Sequence, residues 1–333
     1  MRSDVVAYTS ERIFYSKKFI FLFSKMTNKL YYLLLLLLSA TAFSSCSNDD
    51  DEGGGSGESG PNANMNIVTD EPAVARLEFP KLKDDGNSVV IVYRTSTRSY
   101  DADRVNYAVE WDCDKKSQRW SCYQMHQGYS GSYSRVVDGY MNDTENLPAG
   151  SYWQDDYYYG SGYEHGHICP NADRRYSYDA NYQTFYLTNM QPQYHKFNGY
   201  TSSGADQGEG LWVRMEEQVR TWTPRRSTDT LYVCKGGTID REDQIIERIN
   251  GRLIVPKYFF MACLMKNSQG YRAIGFWAEQ MSNEWRDDEP LTNYTVTIDE
   301  LEELTGIDFF CNLPDNIENS VEDHFSVKAW GLE

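Results

Sequence analysis

Two of the chain's five histidines, His165 and His167, flank a single glycine in the stretch GYEHGHICPNADRRYS (Gly162 to Ser177), and Cys169, Arg174 and Arg175 follow closely. Alternation on a strand would turn His165, His167 and Cys169 to one side, as three ligands of a tetrahedral zinc site. A structural zinc site normally takes a fourth ligand, and no short-spaced cysteine pair supplies one. In a second reading the histidines are structural, hydrogen-bonded within a tyrosine-rich core. In a third, one imidazole is a general base, because an unperturbed pKa of about 6.5 leaves it neutral and able to take a proton from water at pH 7. The segment by itself leaves all three open.

The groups need a scaffold, and the runs around them read as short strands. SVVIVYR (Ser88 to Arg94), VNYAVEW (Val105 to Trp111) and RWSCYQM (Arg119 to Met125) are rich in β-branched and aromatic residues and bounded by polar turns. TFYLTNM (Thr184 to Met190), TLYVCKGG (Thr230 to Gly237), LIVPKYFFMACLM (Leu253 to Met265) and YRAIGFWAEQ (Tyr271 to Gln280) continue in that style. Helices are fewer. WVRMEEQVRTW carries Trp212, Met215, Val219 and Trp222 on one face, and TIDELEELTG opens with a capping box at Thr297 and Glu300 and stops at Gly306. The expected class is α+β, a mixed, largely antiparallel β-sheet core with flanking helices. No repeat, no Gly-rich phosphate loop and no internal boundary divides residues 73–333.

After His167 come NADR (Asn171 to Arg174), QTFYLTNMQPQYHKFN (Gln183 to Asn198) and WVRMEEQVR (Trp212 to Arg220). This ordered set resembles the DNA/RNA non-specific endonucleases of the ββα-metal fold, whose motifs are written DRGH, TNMxPQ with a following asparagine, and WxxLE. The likeness runs on through VCKGGT, VPKYFF and IDELEELTGIDFF, and upstream through YAVEWD. The resemblance implies that His167 is the general base and that Asn198 is the single protein ligand of a divalent metal, magnesium or another such as manganese. It implies that Glu216 holds metal-bound water, that the products carry 5′ phosphates, and that DNA and RNA are both substrates. Arg174 and Arg175 are candidates for gripping phosphate, since guanidinium forks pair bidentately with its oxygens. Asn189, in TNM, is expected to fix a turn.

Two departures stand out. Glu164 and His165 replace the aspartate and arginine of DRGH, and the insert GYTSSGADQGEGL separates Asn198 from Trp212. If the insert loops out and the helix resumes, Glu216 returns beside the metal; otherwise it is an exposed carboxylate paired with Arg220 one turn on. The alternative to the nuclease reading is therefore a catalytically impaired surface lipoprotein that binds nucleic acid or a protein partner.

Charge and the N-terminal sequence bound the setting. With 32 Lys and Arg against 49 Asp and Glu, the net charge of −17 excludes a protein that coats nucleic acid through a generally basic surface. From Met26, MTNKLYYLLLLLLSATAFSSC has the order of an export signal, which makes residues 1–25 a mis-called start; the alternative is a membrane anchor with a long head. SSC resembles the end of a bacterial lipobox, so Cys46 is the expected lipid-bearing residue and the outer membrane the expected location. An acidic Gly/Ser-rich tether over 46–72 follows. The six other cysteines fit an oxidising compartment, and only Cys113 and Cys122 are close enough for a local bridge, free buried cysteines being the alternative.

Overall fold

The structure, a computed structural model, describes residues 61–96, 101–127, 129 and 131–332. Residues 1–60, which hold the expected mis-called start, export signal, lipid-bearing Cys46 and most of the tether, lie outside the described residues. From residue 61 onward the chain falls in one compact unit.

Three strands open the domain as an antiparallel meander: β1 (Ser88–Arg94), β2 (Val105–Asp112) and β3 (Ser117–Met125). The site segments follow as β4 (Glu164–His167), helix α1 (Tyr178–Gln183), β5 (Met190–Gln193) and the single turn α2 (His195–Asn198). A small pair, β6 (Tyr200–Thr201) and β7 (Gly208–Glu209), then leads into α3 (Leu211–Thr221). The chain continues through β8 (Thr230–Gly237), β9 (Ile245–Ile249), β10 (Leu253–Pro256), β11 (Tyr258–Asn267), β12 (Gly270–Glu279) and β13 (Thr295–Val296). Helices α4 (Ile298–Thr305) and α5 (Asp315–Glu322) close it. The seven-stranded sheet runs β1-β2-β3-β8-β11-β12-β13 with every neighbour antiparallel, an α+β architecture.

Period two on the central strands creates two cores. On β11, Phe259, Met261 and Cys263 join Trp212, Met215 and Val219 of α3 on one face, whereas Phe260, Ala262 and Leu264 join Ile298, Leu301 and Val321 of α4 and α5 on the other. A strand buried on both faces reads as a continuous apolar run, which is why the sequence shows its existence but not which residue faces which helix.

Several expected boundaries shift. The run TFYLTNM is a 3₁₀ turn over Leu187–Asn189, and the strand falls on MQPQ instead, because the Asn189 side chain captures backbone groups that a ladder would use. LIVPKYFFMACLM breaks at Pro256, where the β9–β10 register slips and the donor-less proline ends the pairing. The tether boundary at residue 73 also moves. Asn66 is 2% exposed and donates to Val74 O and Pro80 O, and Ala63 N donates to Asp315 Oδ1 at 2.9 Å, so the domain already begins before residue 66. No bridge joins Cys113 and Cys122; all six described cysteines are free, and all but Cys113 are buried.

Candidate active site

The glycine between the histidines is a packing requirement. On the β4–β5 pair, Gly166 lies opposite Gln191, and a Cβ at 166 would sit 2.3 Å from the side chain of Gln193, two residues on, which reaches across it. The pair is anchored at its far end by Asn189, 0% exposed. Its Oδ1 accepts from Cys169 N at 2.9 Å, and its Nδ2 donates to Cys169 O at 2.8 Å and Thr184 O at 2.9 Å. Its amide is therefore spent on the turn and is not free for a metal.

His167 ends β4. Its Nε2 is buried with no hydrogen-bond partner, and the hydrogen bond its ring makes to the His165 backbone therefore falls to Nδ1. That leaves the Nε2 lone pair free. Burial pushes the imidazole down to about 3, with the charges of Arg135, His165 and Lys235 acting in the same direction and the backbone bond opposing. The ordinary value near 6.5 assumed from sequence thus gives way to an imidazole neutral well into acid. Phe185 meets the ring edge-on at 5.2 Å, and Trp212 Nε1 of α3 donates to the His167 carbonyl at 3.3 Å.

His165 has a different environment. It is stacked between Tyr140, at 3.7 Å, and Tyr158, at 4.1 Å, and its Nε2 contacts Asp156 Oδ2 at 2.8 Å. Cys169 is fully buried, its thiol pushed up to about 11 by burial. The zinc triad is not assembled: among the described residues the only group of three His, Cys, Asp or Glu side chains close enough to share an ion lies elsewhere.

Asn198 terminates α2, and its Nδ2 donates to Glu164 Oε2 at 2.9 Å. The other Glu164 oxygen bonds His195 Nδ1 at 2.6 Å. This tie to the strand that carries His167 fixes the amide and leaves Oδ1 as a free hard donor. One amide oxygen suits magnesium, which keeps most of its water and needs few protein ligands, so the donor set fits that ion.

The insert loops out. Residues 200–209 form the β6–β7 pair, and Gly210 N returns to bond Gly199 O at 2.9 Å, so α3 resumes beside α2, with Phe197 and Trp212 rings 5.9 Å apart. Glu216 is accordingly not an exposed carboxylate paired with Arg220. Its Oε1 accepts from Lys235 Nζ at 2.8 Å, with side-chain exposures of 1% for the lysine and 11% for the glutamate. Arg220 pairs with Asp173 at 2.7 Å instead. Burial raises the Glu216 carboxyl despite the opposing lysine.

The arginines fall differently from their sequence positions. Arg174 is 0% exposed, lying over the Tyr123 ring at 4.3 Å and the Tyr129 ring at 5.0 Å with one bond to Gln124 O. It is a core residue, sealed off from a phosphate by the aromatic rings around it. Arg175 donates to Tyr133 O at 2.6 Å. Upstream, Arg94 pairs with Glu71, and Arg119 with Asp240 and Asp112. The exposed guanidinium beside His167 is Arg135, which lies 4.6 Å over Phe185 and 5.4 Å over Tyr140. Sequence reasoning missed it because its segment has no periodicity. Lys235 was also missed, although a lysine inside the apolar run TLYVCKGG was a signal.

The chain is similar to known proteins in sequence and in fold. The family model described as DNA/RNA non-specific endonuclease matches residues 85–316. A nuclease of Nostoc sp. is 30% identical over 233 residues, covering 65% of this chain and 75% of the nuclease. Human mitochondrial nuclease EXOG is 26% identical over 230 residues, with 66% of this chain and 58% of EXOG covered. In fold, the crystal structure of an EndoG/EndoGI complex superposes with a TM-score of 0.54 at 19% identity, over 74% of this chain and 94% of that one. The match across most of the folded region, with motif residues gathered on β4, α2 and α3, settles the classification: this chain belongs to the DNA/RNA non-specific endonuclease family, and with it to the hydrolytic, divalent-metal-dependent nucleases.

Proposed function

We propose that the protein is an exported endonuclease that hydrolyses phosphodiester bonds of DNA and RNA without sequence preference, with His167 as general base and Asn198 as the protein ligand of a magnesium ion. The observation that carries this reading is the free, neutral Nε2 of His167 in a neighbourhood of positive charge. Water attacks phosphorus and gives its proton to Nε2 while the bond to the 3′ oxygen breaks, leaving a 5′ phosphate. The ion, when bound, supplies positive charge at the phosphate and the leaving oxygen. Arg135 takes the phosphate-gripping role that the sequence assigned to Arg174, and contacts of this kind carry little sequence information. Glu216, its charge compensated by Lys235, orients water at the same place.

Incubation with plasmid and RNA in magnesium or EDTA tests this. Cleavage should require the metal and should fall by roughly 10²- to 10⁴-fold in His167→Ala. A folded protein inert across several divalent ions would favour the impaired binding lipoprotein. Export and anchoring rest on the signal-like order ahead of Cys46. Palmitate labelling lost in Cys46→Ser is the expected result, and an unlabelled chain would reject the anchor.

A further inference from the structure

The sheet face away from His167 carries a second, unrelated concentration of charge. Helix α4 presents Asp299 and Glu302 one turn apart, and α5 ends at Glu322; one carboxylate oxygen from each lies within 4.8 Å of the other two. Glu322 is 6% exposed and its Oε1 is buried with no hydrogen-bond partner. The largest charges acting on it are carboxylates: Glu302, Glu318, Asp299 and Asp308. The neighbours are already committed. Glu302 accepts from Phe309 N at 2.7 Å, and Glu318 and Asp308 accept from Asn64 Nδ2 at 2.9 and 3.2 Å.

A buried carboxylate without donor or counter-charge is costly, and three sharing one place cannot all ionise unless a cation joins them. We infer that Asp299, Glu302 and Glu322 form a calcium site that clasps α4 to α5. Calcium suits the arrangement better than magnesium. It takes six to eight oxygens in flexible geometry and accepts several carboxylates at once, whereas magnesium demands a near-ideal octahedron and usually keeps several of its waters. The exposed Asp299 edge gives water access to complete the shell. Because Asn64 bonds Glu318 and Asp308, the clasp also steadies the chain's entry into the domain.

The test is thermal unfolding and calorimetric titration with calcium chloride in magnesium-free buffer, on an Asn198→Ala background that removes the proposed active-site ligand. Calcium should raise Tm and bind as one equivalent, with Kd in the range of about 10⁻⁴–10⁻³ M that extracellular calcium modules show. Both effects should vanish in Glu322→Gln and in Glu302→Gln. In the wild-type background the same two substitutions should leave magnesium-dependent plasmid cleavage unchanged. No response up to about 10 mM calcium, well above that range, would overturn the site. So would a response that persists in both variants, or one that magnesium matches at equal concentration.

Discussion

The two faces of the central sheet each bury a polar atom without a partner, and they treat it in opposite ways. His167 Nε2 sits among Arg135, His165 and Lys235; Glu322 Oε1 sits among four other carboxylates. Desolvation disfavours the charged form in both, and the surrounding charges add to it, so the imidazole is pushed down to about 3 and the carboxyl up to about 9. The first environment is suited to a phosphate and the second to a cation. This separation also reconciles a net charge of −17 with a nucleic-acid substrate, since the acid excess is gathered partly on the face that the substrate does not need.

Converting one face into the other is the strongest way to break the contrast. Lys235→Met would strip the site face of a buried cation and leave Glu216 unpaired, at a cost of about 3–5 kcal/mol in stability. Urea unfolding should show this, and Glu216→Gln in the same chain should recover most of it; an unchanged midpoint in the single variant would mean the pair carries no weight. Arg135→Ala should lower kcat/KM by roughly 10- to 100-fold, the effect of losing one charged hydrogen bond to phosphate worth about 1.5–3 kcal/mol. Equal kinetics would move phosphate binding elsewhere.

The smallest effect is a difference in the sign of pH dependence. His167 has a depressed folded pKa, so its contribution is present above the unfolded value near 6.5 and is lost as pH falls toward about 3. Glu302, Glu318 and Glu322 are raised to about 8, 7 and 9. Their contribution is complete below the unfolded value near 4.5 and is lost as pH rises through those values. In EDTA, replacing His167 with Asn should flatten the acid limb of a Tm–pH curve, and Glu322→Gln should flatten the alkaline one. Limbs that exchange or fail to respond would contradict these environments.

How much of this was legible follows from the kind of information each feature needs. The strands over residues 88–94, 105–111 and 230–237 and the helices at Trp212 and Thr297 announced themselves through composition, apolar spacing and caps. His167, Asn198 and Glu216 were legible as candidates because their motifs follow in order along the chain. Their partners were not. Glu164 meets Asn198 across 34 positions, and Lys235 meets Glu216 only because β8 and α3 pack on the same sheet face. Arg174 looked like a phosphate ligand from its place beside the histidines, but β3, 50 residues away at Gln124, supplies the cover that buries it. The acidic cluster was invisible because Glu322 is brought to Asp299 and Glu302 by packing alone.

On the proposed mechanism the His167 imidazole and the Asn198 amide serve one phosphodiester. NMR of protein with ¹⁵N-labelled histidine, titrated with substoichiometric manganese, tests it most directly. The His167 ring signals should broaden in the wild type and stay sharp in Asn198→Ala. Signals of His167 that remain sharp in the wild type, or broaden equally in both proteins, would contradict it.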